Sequence, residues 1–198
     1  PPLSIRRQRQ LCIRDRLIDA ILERQNEEIE QILHAALAEP DPWTGLVLYL
    51  ERSLALQAQD RGMAQIFAGK HGRRTKYDES RDRLAPLINR VAERARDAGA
   101  LRADATGTDL VFLQIALSTV AAVTQDGASL EGREDAEQLY RRYLRIALDG
   151  LRADGPTSQL PIPALTTAQT HTLLQPTRPE QDVILADAAD DDDMESTS

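Results

Sequence analysis

The sequence has few of the residues that build covalent or metal-based sites, with one cysteine, Cys12, and three histidines among 198 residues. A single cysteine excludes an internal disulfide and a cysteine-rich zinc site. No uninterrupted apolar run reaches the roughly 18 residues that a membrane span needs. No apolar core or small-residue cleavage site follows the N-terminal arginines, as a signal peptide would require. These absences predict a cytoplasmic protein without a membrane partner.

Lysine is also scarce, and the charge is unevenly distributed. Two lysines stand against 22 arginines, which is typical of a high-GC bacterial coding bias. Residues 1–16 carry a net charge of +4, residues 17–154 of −5 and residues 155–198 of −7. Because phosphate contacts need clustered lysine and arginine, the mildly acidic body is not expected to bind DNA by itself.

Catalytic and cofactor-binding patterns are missing as well. His34, His71 and His171 lie in three separate segments without the spacing of metal ligands. Between Gly62 and Gly69 there are six residues, where a phosphate-binding loop has four, and no strand precedes them. The sequence therefore predicts no enzyme activity, no cofactor and no metal.

The first half of the chain has helical periodicity. Apolar residues recur at steps of three and four from Leu17 to Ala38, which predicts an amphipathic helix. Pro40-Asp41-Pro42 is expected to end this helix and to start the next one, because its aspartate is a good N-cap and its second proline suits a first helical turn. The second helix is expected to continue to about Asp60, before a short apolar segment at residues 63–68.

A third amphipathic stripe runs from Leu84 to Ala95 and predicts another helix. Gly99 is expected to end it as a left-handed cap. Pro86 either lies in the first turn of this helix or interrupts a helix that begins near Ser80, and the pattern leaves both arrangements open.

The next segment, Thr106 to Gln125, is apolar on nearly every side, so a helix there must be covered on nearly every side. Thr106 and Asp109 are placed to form a capping box at its start. A last amphipathic helix is expected from Glu134 to Leu151, with Ile146 off its apolar face and therefore exposed in a single chain. The sequence predicts an all-α fold of about six helices.

Residues 155–198 show no periodicity, and they contain five prolines and four consecutive aspartates at residues 190–193. Such a composition predicts a disordered acidic tail.

Three phrases of this sequence resemble the C-terminal regulatory half of TetR-family (tetracycline-repressor-like) transcription factors. They are LIDAILERQNEEIEQILHAAL, PLINRVAERARDAGALRADATGTDLVFLQIALSTV and LYRRYLRIALDGLR, and the resemblance covers residues 17–154. In that family the first long helix follows a helix-turn-helix domain that binds DNA. The resemblance implies a domain that binds a small apolar inducer and forms a homodimer, with DNA bound only through the helix-turn-helix domain.

The first 16 residues depart from that pattern, because they are too few for a three-helix DNA-binding module. RRQRQLCIRDR resembles, apart from Leu11 in place of methionine, one reading-frame translation of a common transposon-based sequencing-library adapter. We therefore expect residues 1–16 to be a non-native segment fused to a truncated gene. An arginine-rich arm that contacts phosphates is the other interpretation.

The resemblance also implies candidate site residues. Inducers of this family bind between the middle helices of the regulatory domain, which gives a candidate pocket, although the same side chains suit an ordinary packed core. The candidate pocket residues are Trp43, Tyr49, Met63, Phe67, Ile88, Phe112 and Gln114, the last as a polar contact.

Two apolar helices at the end of an all-α domain suggest a symmetric four-helix dimer interface, with Leu110–Val123 and Leu139–Leu151 contributed by each subunit. The interpretation in which both helices are internal stays open. The candidate interface residues are Leu113, Ala116, Leu117, Val120, Ala121, Tyr140, Tyr143, Leu144, Ile146 and Ala147.

The sequence therefore favours the ligand-sensing and dimerisation domain of a TetR-like bacterial regulator. The alternative is a stand-alone helical adaptor that binds a protein partner through its acidic tail. Tight dimerisation and binding of apolar molecules favour the first, whereas monomeric behaviour with tail-dependent binding favours the second.

Overall fold

A computed structural model describes residues 3–59, 74–126, 135–155 and 158–174 of the chain. Within these ranges the secondary structure is helical apart from one isolated β-bridge, and a 3₁₀ turn, Ala136–Gln138, precedes the fifth helix. The all-α prediction with about six helices is confirmed. The helices are α1 (Leu3–Ala38), α2 (Pro42–Gln59), α3 (Arg74–Asp97), α4 (Gly107–Asp126), α5 (Leu139–Leu151) and α6 (Thr167–Leu173).

Helix α1 begins at Leu3 and therefore extends beyond the predicted start at Leu17. No proline or glycine interrupts the sequence between Leu3 and Ala38, so nothing local ends the helix earlier. Among the described side chains of α1, the buried apolar ones are Ile29, Leu33 and Ala36, at the predicted spacing, and Gln25 and Asn26 are buried as well. The non-native origin of residues 1–16 stays a prediction.

Helix α2 starts as its sequence predicts. The Asp41 carboxylate accepts hydrogen bonds from the Thr44 backbone N–H at 2.9 Å and from the Thr44 hydroxyl at 2.6 Å, while Pro42 occupies the first turn. Gly45 packs closely against α1, because a Cβ atom there would lie 2.3 Å from the Ala36 carbonyl oxygen. The two helices thus meet in a tight corner.

The structure of helix α3 decides between the two arrangements predicted for Pro86. The helix starts at Arg74 and contains Pro86 in its interior, so the proline does not lie in a first turn. The predicted cap at Gly99 is confirmed by its φ of 68°, and the Ala100 N–H donates to the Ala95 carbonyl at 2.9 Å.

The turn after α3 is joined to the end of α5. Leu101 and Arg152 form an antiparallel bridge, and the Arg102 N–H donates to the Leu151 carbonyl at 2.9 Å. The Leu101 side chain is buried, while the Arg102 guanidinium pairs with the Asp104 carboxylate and also donates to the Ser158 carbonyl. These contacts lock the turn, the end of α5 and the start of the following segment together.

Helix α4 lies at the centre and packs against α2, α3 and α5. The Asp109 carboxylate accepts a hydrogen bond from the Thr106 N–H at 2.8 Å, which is one of the two bonds of the predicted capping box, and the Thr106 hydroxyl donates to the same carboxylate at 2.8 Å. The window Gly107–Thr124 is long and apolar enough to span a membrane by length and composition, and 33% of it is buried inside the fold.

The segment after α5 differs in part from the predicted disordered tail. Residues 158–174 include α6, which begins with a reciprocal capping box between Thr166 and Gln169 and packs on α3. The physical reason is that a local cap and long-range hydrogen bonds hold this segment in spite of its prolines. The acidic run at residues 190–193 lies outside the described residues.

Candidate ligand-binding cavity

A cavity of about 140 Å³ lies among five of the helices. Its walls come from α1, α2, α3, α4 and α6, and the side chains that face it are apolar and polar in nearly equal number. They include Leu22 and Ile29 of α1, Tyr49 of α2, Leu84, Ala85 and Ile88 of α3, Val111, Gln114 and Ile115 of α4, and Thr170 and Leu174 at the α6 end.

A buried hydrogen bond between two helices forms the polar part of the wall. The Tyr49 hydroxyl donates to Gln114 Oε1 at 3.1 Å. Burial raises the pKa of Tyr49 well above its ordinary value of 10.0, so the hydroxyl keeps its proton and remains a donor. Gln114 Nε2 is buried without a hydrogen-bond partner among the described residues, which leaves an amide donor at an apolar cavity.

Helix α6 closes one side of this space. The Asn89 side-chain amide donates to the Thr167 hydroxyl at 3.2 Å, and the Thr108 hydroxyl donates to the Leu165 carbonyl at 2.8 Å. Thr170 is only 4% exposed, and its hydroxyl has no hydrogen-bond partner within the described part of the chain. Two polar groups without partners therefore lie at the same cavity.

A close approach of α3 and α4 shapes the same end of the cavity. A Cβ atom on Gly107 would lie 2.9 Å from the Asn89 Cα atom and closer still to its side-chain oxygen. Only glycine permits this spacing, and it brings Asn89 and Thr108 to the positions from which both contact the segment around α6.

The charge of the cavity wall is paired. Glu23 is the one acidic side chain among the described residues that line it, and Arg83 Nη1 lies 3.2 Å from its carboxylate. Arg83 also contacts the Glu30 carboxylate, at 3.1 Å. With its carboxylate paired, the cavity offers a ligand apolar surface and neutral hydrogen-bonding groups.

The structure brings together three of the predicted pocket residues, Tyr49, Ile88 and Gln114. Trp43 does not line the cavity, because its ring lies under the Arg152 guanidinium at 4.9 Å, in the corner where α2 meets the end of α5. Phe112 does not line it either, since it lies on the other side of α4. Met63 and Phe67 lie outside the described residues.

Sequence reasoning missed the contribution of α6. Thr167, Thr170 and His171 line the cavity, although their segment was predicted to be a disordered tail. The signal that points to a helix there is the threonine–glutamine spacing of the capping box, Thr166 to Gln169.

A second surface of interest is the outward face of α4 and α5. On α4, Phe112, Ala116, Val120 and Val123 follow one another at steps of three and four, and Val123 is 66% exposed. On α5, Tyr143 and Ile146 are 44% and 56% exposed. The predicted exposure of Ile146 in a single chain is confirmed.

Among the predicted interface residues, Ala116, Tyr143 and Ile146 are exposed, and Leu113, Val120 and Ala147 are half-buried. The other four are buried inside the single chain and offer little surface to a partner, because they face the core between α2, α4 and α5. These four are Leu117, Ala121, Tyr140 and Leu144.

Within residues 3–59, 74–126, 135–155 and 158–174, no group of three histidine, cysteine, aspartate or glutamate side chains is close enough to hold a metal ion. What the site offers is a cavity that combines apolar side chains with about as many polar ones, and the polar groups can orient a small molecule.

Comparison with known families agrees with this architecture. The family model described as transcriptional regulator SbtR-like, C-terminal domain, matches residues 41–153, which is more than half of the chain. The chain belongs to the TetR family of transcriptional regulators. No curated protein is similar to it over its sequence. Helix α6, which closes one side of the cavity, lies beyond the residues that match the TetR-family domain.

Proposed function

We propose that this chain is the ligand-sensing and dimerisation domain of a cytoplasmic, bacterial TetR-type regulator. The observation that carries the proposal is the cavity, which has three of its five wall helices, α2, α3 and α4, within the matched residues and combines apolar side chains with buried polar groups. A small apolar molecule is the inducer that such a space accommodates.

The cavity also reaches the helix that would carry a signal. Leu22, Glu23, Asn26 and Ile29 of α1 form part of its wall. In a TetR-type regulator this helix connects to the helix-turn-helix domain, which we place outside these 198 residues. A ligand that shifts α1 would change the spacing of two DNA-binding domains, which is an allosteric coupling between distinct sites.

Dimerisation is the second part of the proposal. The outward stripe of Phe112, Ala116, Val120 and Val123 on α4, together with Tyr143 and Ile146 on α5, is an apolar face that the described residues of its own chain cover only in part, with Val123, Tyr143 and Ile146 the most exposed of its large side chains. Two such faces related by a two-fold axis form the four-helix interface expected for this family.

Replacement of Ile146 by glutamate tests the dimer. A charge buried in a symmetric interface lacks a partner on the other subunit, so Ile146→Glu is expected to weaken dimerisation by at least about thirtyfold. Ile162→Glu is the matched control, because Ile162 is 76% exposed and lies outside this face. Sedimentation velocity over a range of chain concentrations measures the monomer–dimer equilibrium of each protein.

We expect the wild-type chain and Ile162→Glu to dimerise with similar affinity and Ile146→Glu to sediment as a folded monomer, with unchanged helical content by circular dichroism. A wild-type chain that stays monomeric at all concentrations would refute dimerisation. An Ile146→Glu variant that dimerises as the wild type does would place the interface elsewhere.

A further inference from the structure

We infer that the cavity recognises a neutral, ring-sized ligand through a hydrogen-bond acceptor on that ligand, and that α6 supplies part of this recognition. The inference rests on the proposed ligand-sensing function and adds the chemistry of the ligand. Its basis is the pair of buried polar atoms at the cavity, Gln114 Nε2 and Thr170 Oγ1, neither of which has a partner among the described residues.

The volume limits the size of the ligand. A cavity of about 140 Å³ is close to the roughly 150 Å³ of an engineered apolar cavity that binds benzene. One six-membered ring with a short substituent is therefore the class of molecule that fits. A larger ligand would have to displace α6 or the side chains of the wall.

The charges indicate a neutral ligand. Glu23, at the cavity wall, is paired with Arg83, and Arg83 also contacts Glu30. A charged ligand would have to leave water for an apolar space in which the described acidic side chain already has a partner, and such burial is costly.

The direction of the hydrogen bonds identifies the complementary group. Gln114 Oε1 already accepts from the Tyr49 hydroxyl, whereas the N–H groups of Gln114 Nε2 have no partner among the described residues. The Thr170 hydroxyl supplies another donor from α6. Buried donors without partners are costly, so a ligand carbonyl or ether oxygen that accepts from them gains more than the same ring without the oxygen.

Helix α6 has only seven residues, and side-chain hydrogen bonds to α3 and α4 hold it in place. Thr108 donates to the Leu165 carbonyl and Asn89 donates to the Thr167 hydroxyl, which fixes Thr170 at the cavity. Helix α6 lies beyond residues 41–153, which the family model matches, so its part in the recognition is inferred from the structure of this chain and not from the family.

Two probes of nearly equal shape separate acceptor recognition from simple filling of the cavity. Acetophenone carries a carbonyl oxygen, and α-methylstyrene has a methylene group in its place. NMR titration of the full chain with each compound gives the two dissociation constants. We expect acetophenone to bind about tenfold more tightly than α-methylstyrene.

Two variants assign the selectivity to its residues. In Gln114→Leu, made together with Tyr49→Phe so that the tyrosine hydroxyl freed by the change does not become a new donor, and in Thr170→Val, the ratio of the two dissociation constants should fall towards one, because acetophenone loses a donor while α-methylstyrene does not. Thr172→Val is the matched control, since Thr172 is exposed on the same helix and does not line the cavity. It should keep the wild-type ratio.

A third variant tests whether α6 forms part of the cavity wall. Thr108→Val removes the hydrogen bond that holds Leu165, and we expect it to weaken the binding of both probes about threefold without changing their ratio. Unchanged affinity for both probes would show that α6 is not a wall of the site.

The outcomes separate this inference from the proposed function. If both probes bind the wild-type chain equally, acceptor recognition is wrong, although the cavity remains a ligand site. If the ratio survives both in Gln114→Leu with Tyr49→Phe and in Thr170→Val, other groups recognise the ligand. If neither probe binds, the inference and the ligand-sensing part of the proposed function both fail, while the dimer is judged separately by sedimentation.

Discussion

The middle and the C-terminal end of helix α3 differ in how tightly they are packed. Towards its C-terminal end, Val91, Ala92 and Ala95 are at most 3% exposed and pack in the continuous core. Towards the middle of the helix, Leu84, Ala85, Ile88 and Asn89 line the cavity of about 140 Å³. The same helix thus joins a densely packed corner to a region with unfilled space.

The polar contacts differ in the same way. At the packed corner, the Arg94 guanidinium donates to the carbonyls of Ala36, Leu37, Glu39 and Pro40. The guanidinium thereby caps the C-terminal end of α1. At the cavity, by contrast, Gln114 Nε2 has no partner among the described residues. The corner fixes the frame of the domain, and the cavity end keeps the unfilled space and unpaired donors that a ligand can use.

The largest expected effect is on the free energy of unfolding, when a leucine is truncated at the packed corner and another at the cavity. Leu101 is 1% exposed in the packed corner, so Leu101→Ala should lower the free energy of unfolding by about 2–5 kcal/mol. Leu84 is half-buried and already adjoins the cavity. Leu84→Ala should therefore cost at least about 1 kcal/mol less, because it loses fewer packing contacts.

Urea unfolding followed by circular dichroism measures both changes. Equal losses of stability in Leu101→Ala and Leu84→Ala would mean that the two ends are packed alike. A larger loss for Leu84→Ala would reverse the comparison.

A smaller effect is expected for the arginine of the corner. Arg94→Met keeps much of the aliphatic stem but removes every hydrogen bond to the end of α1, and we expect it to lower the free energy of unfolding by about 2 kcal/mol. Arg90→Met is the control, because Arg90 is exposed on the same helix. It should change the free energy by less than about 0.5 kcal/mol.

Thermal or urea unfolding of the two methionine variants checks this prediction. If Arg94→Met is no less stable than Arg90→Met, the guanidinium does not hold the end of α1.

The ends of the helices were predictable from the sequence, because caps are local. Asp41, Gly99 and the Thr106–Asp109 pair each contact backbone atoms within a few residues, and all three are found where the sequence places them. The start of α1 was not predictable from periodicity, since an apolar stripe that ends does not oblige the helix to end.

The orientation of α4 could not be read from the sequence for a different reason. When every side of a helix is apolar, periodicity does not tell the inward from the outward side, and Leu117 and Ala121 were grouped with Ala116 although they are buried. Trp43 was assigned to the pocket from the family resemblance, whereas in the structure its ring lies under the guanidinium of Arg152, more than a hundred residues away.

The docking of α6 depends on contacts of the same long range. Thr108 reaches the Leu165 carbonyl across 57 residues of sequence, and no local pattern encodes that pairing. Three residues of the cavity wall, Tyr49, Ile88 and Gln114, were therefore anticipated from the sequence, and the rest of the wall needed the tertiary structure.

The smallest predicted effect concerns pH at the packed corner. The hydrogen bonds from Arg102 hold the pKa of Asp104 below its ordinary value of 3.8. A lowered folded pKa contributes stability that is complete above 3.8 and is lost as the pH falls through the folded value. Asp104→Asn should therefore be slightly less stable than the wild type near neutral pH and should approach it in acid.

Unfolding midpoints of the two proteins near neutral pH and well below pH 3.8 measure this convergence. The effect is small because the Asp104 side chain is 41% exposed and screened by solvent. A difference that grows as the pH falls would have the opposite sign and would exclude this role for the Arg102–Asp104 pair.

The most direct test of the contrast between the two ends is the anomalous scattering of crystals of the full chain under xenon pressure. Xenon enters empty apolar cavities and needs no particular ligand chemistry. We expect a peak among Ile29, Ile88 and Ile115, none beside Leu101, and loss of the peak in Ala85→Phe, whose ring fills the space. The absence of a peak at the cavity of the wild-type chain would show that this end is as fully packed as the corner.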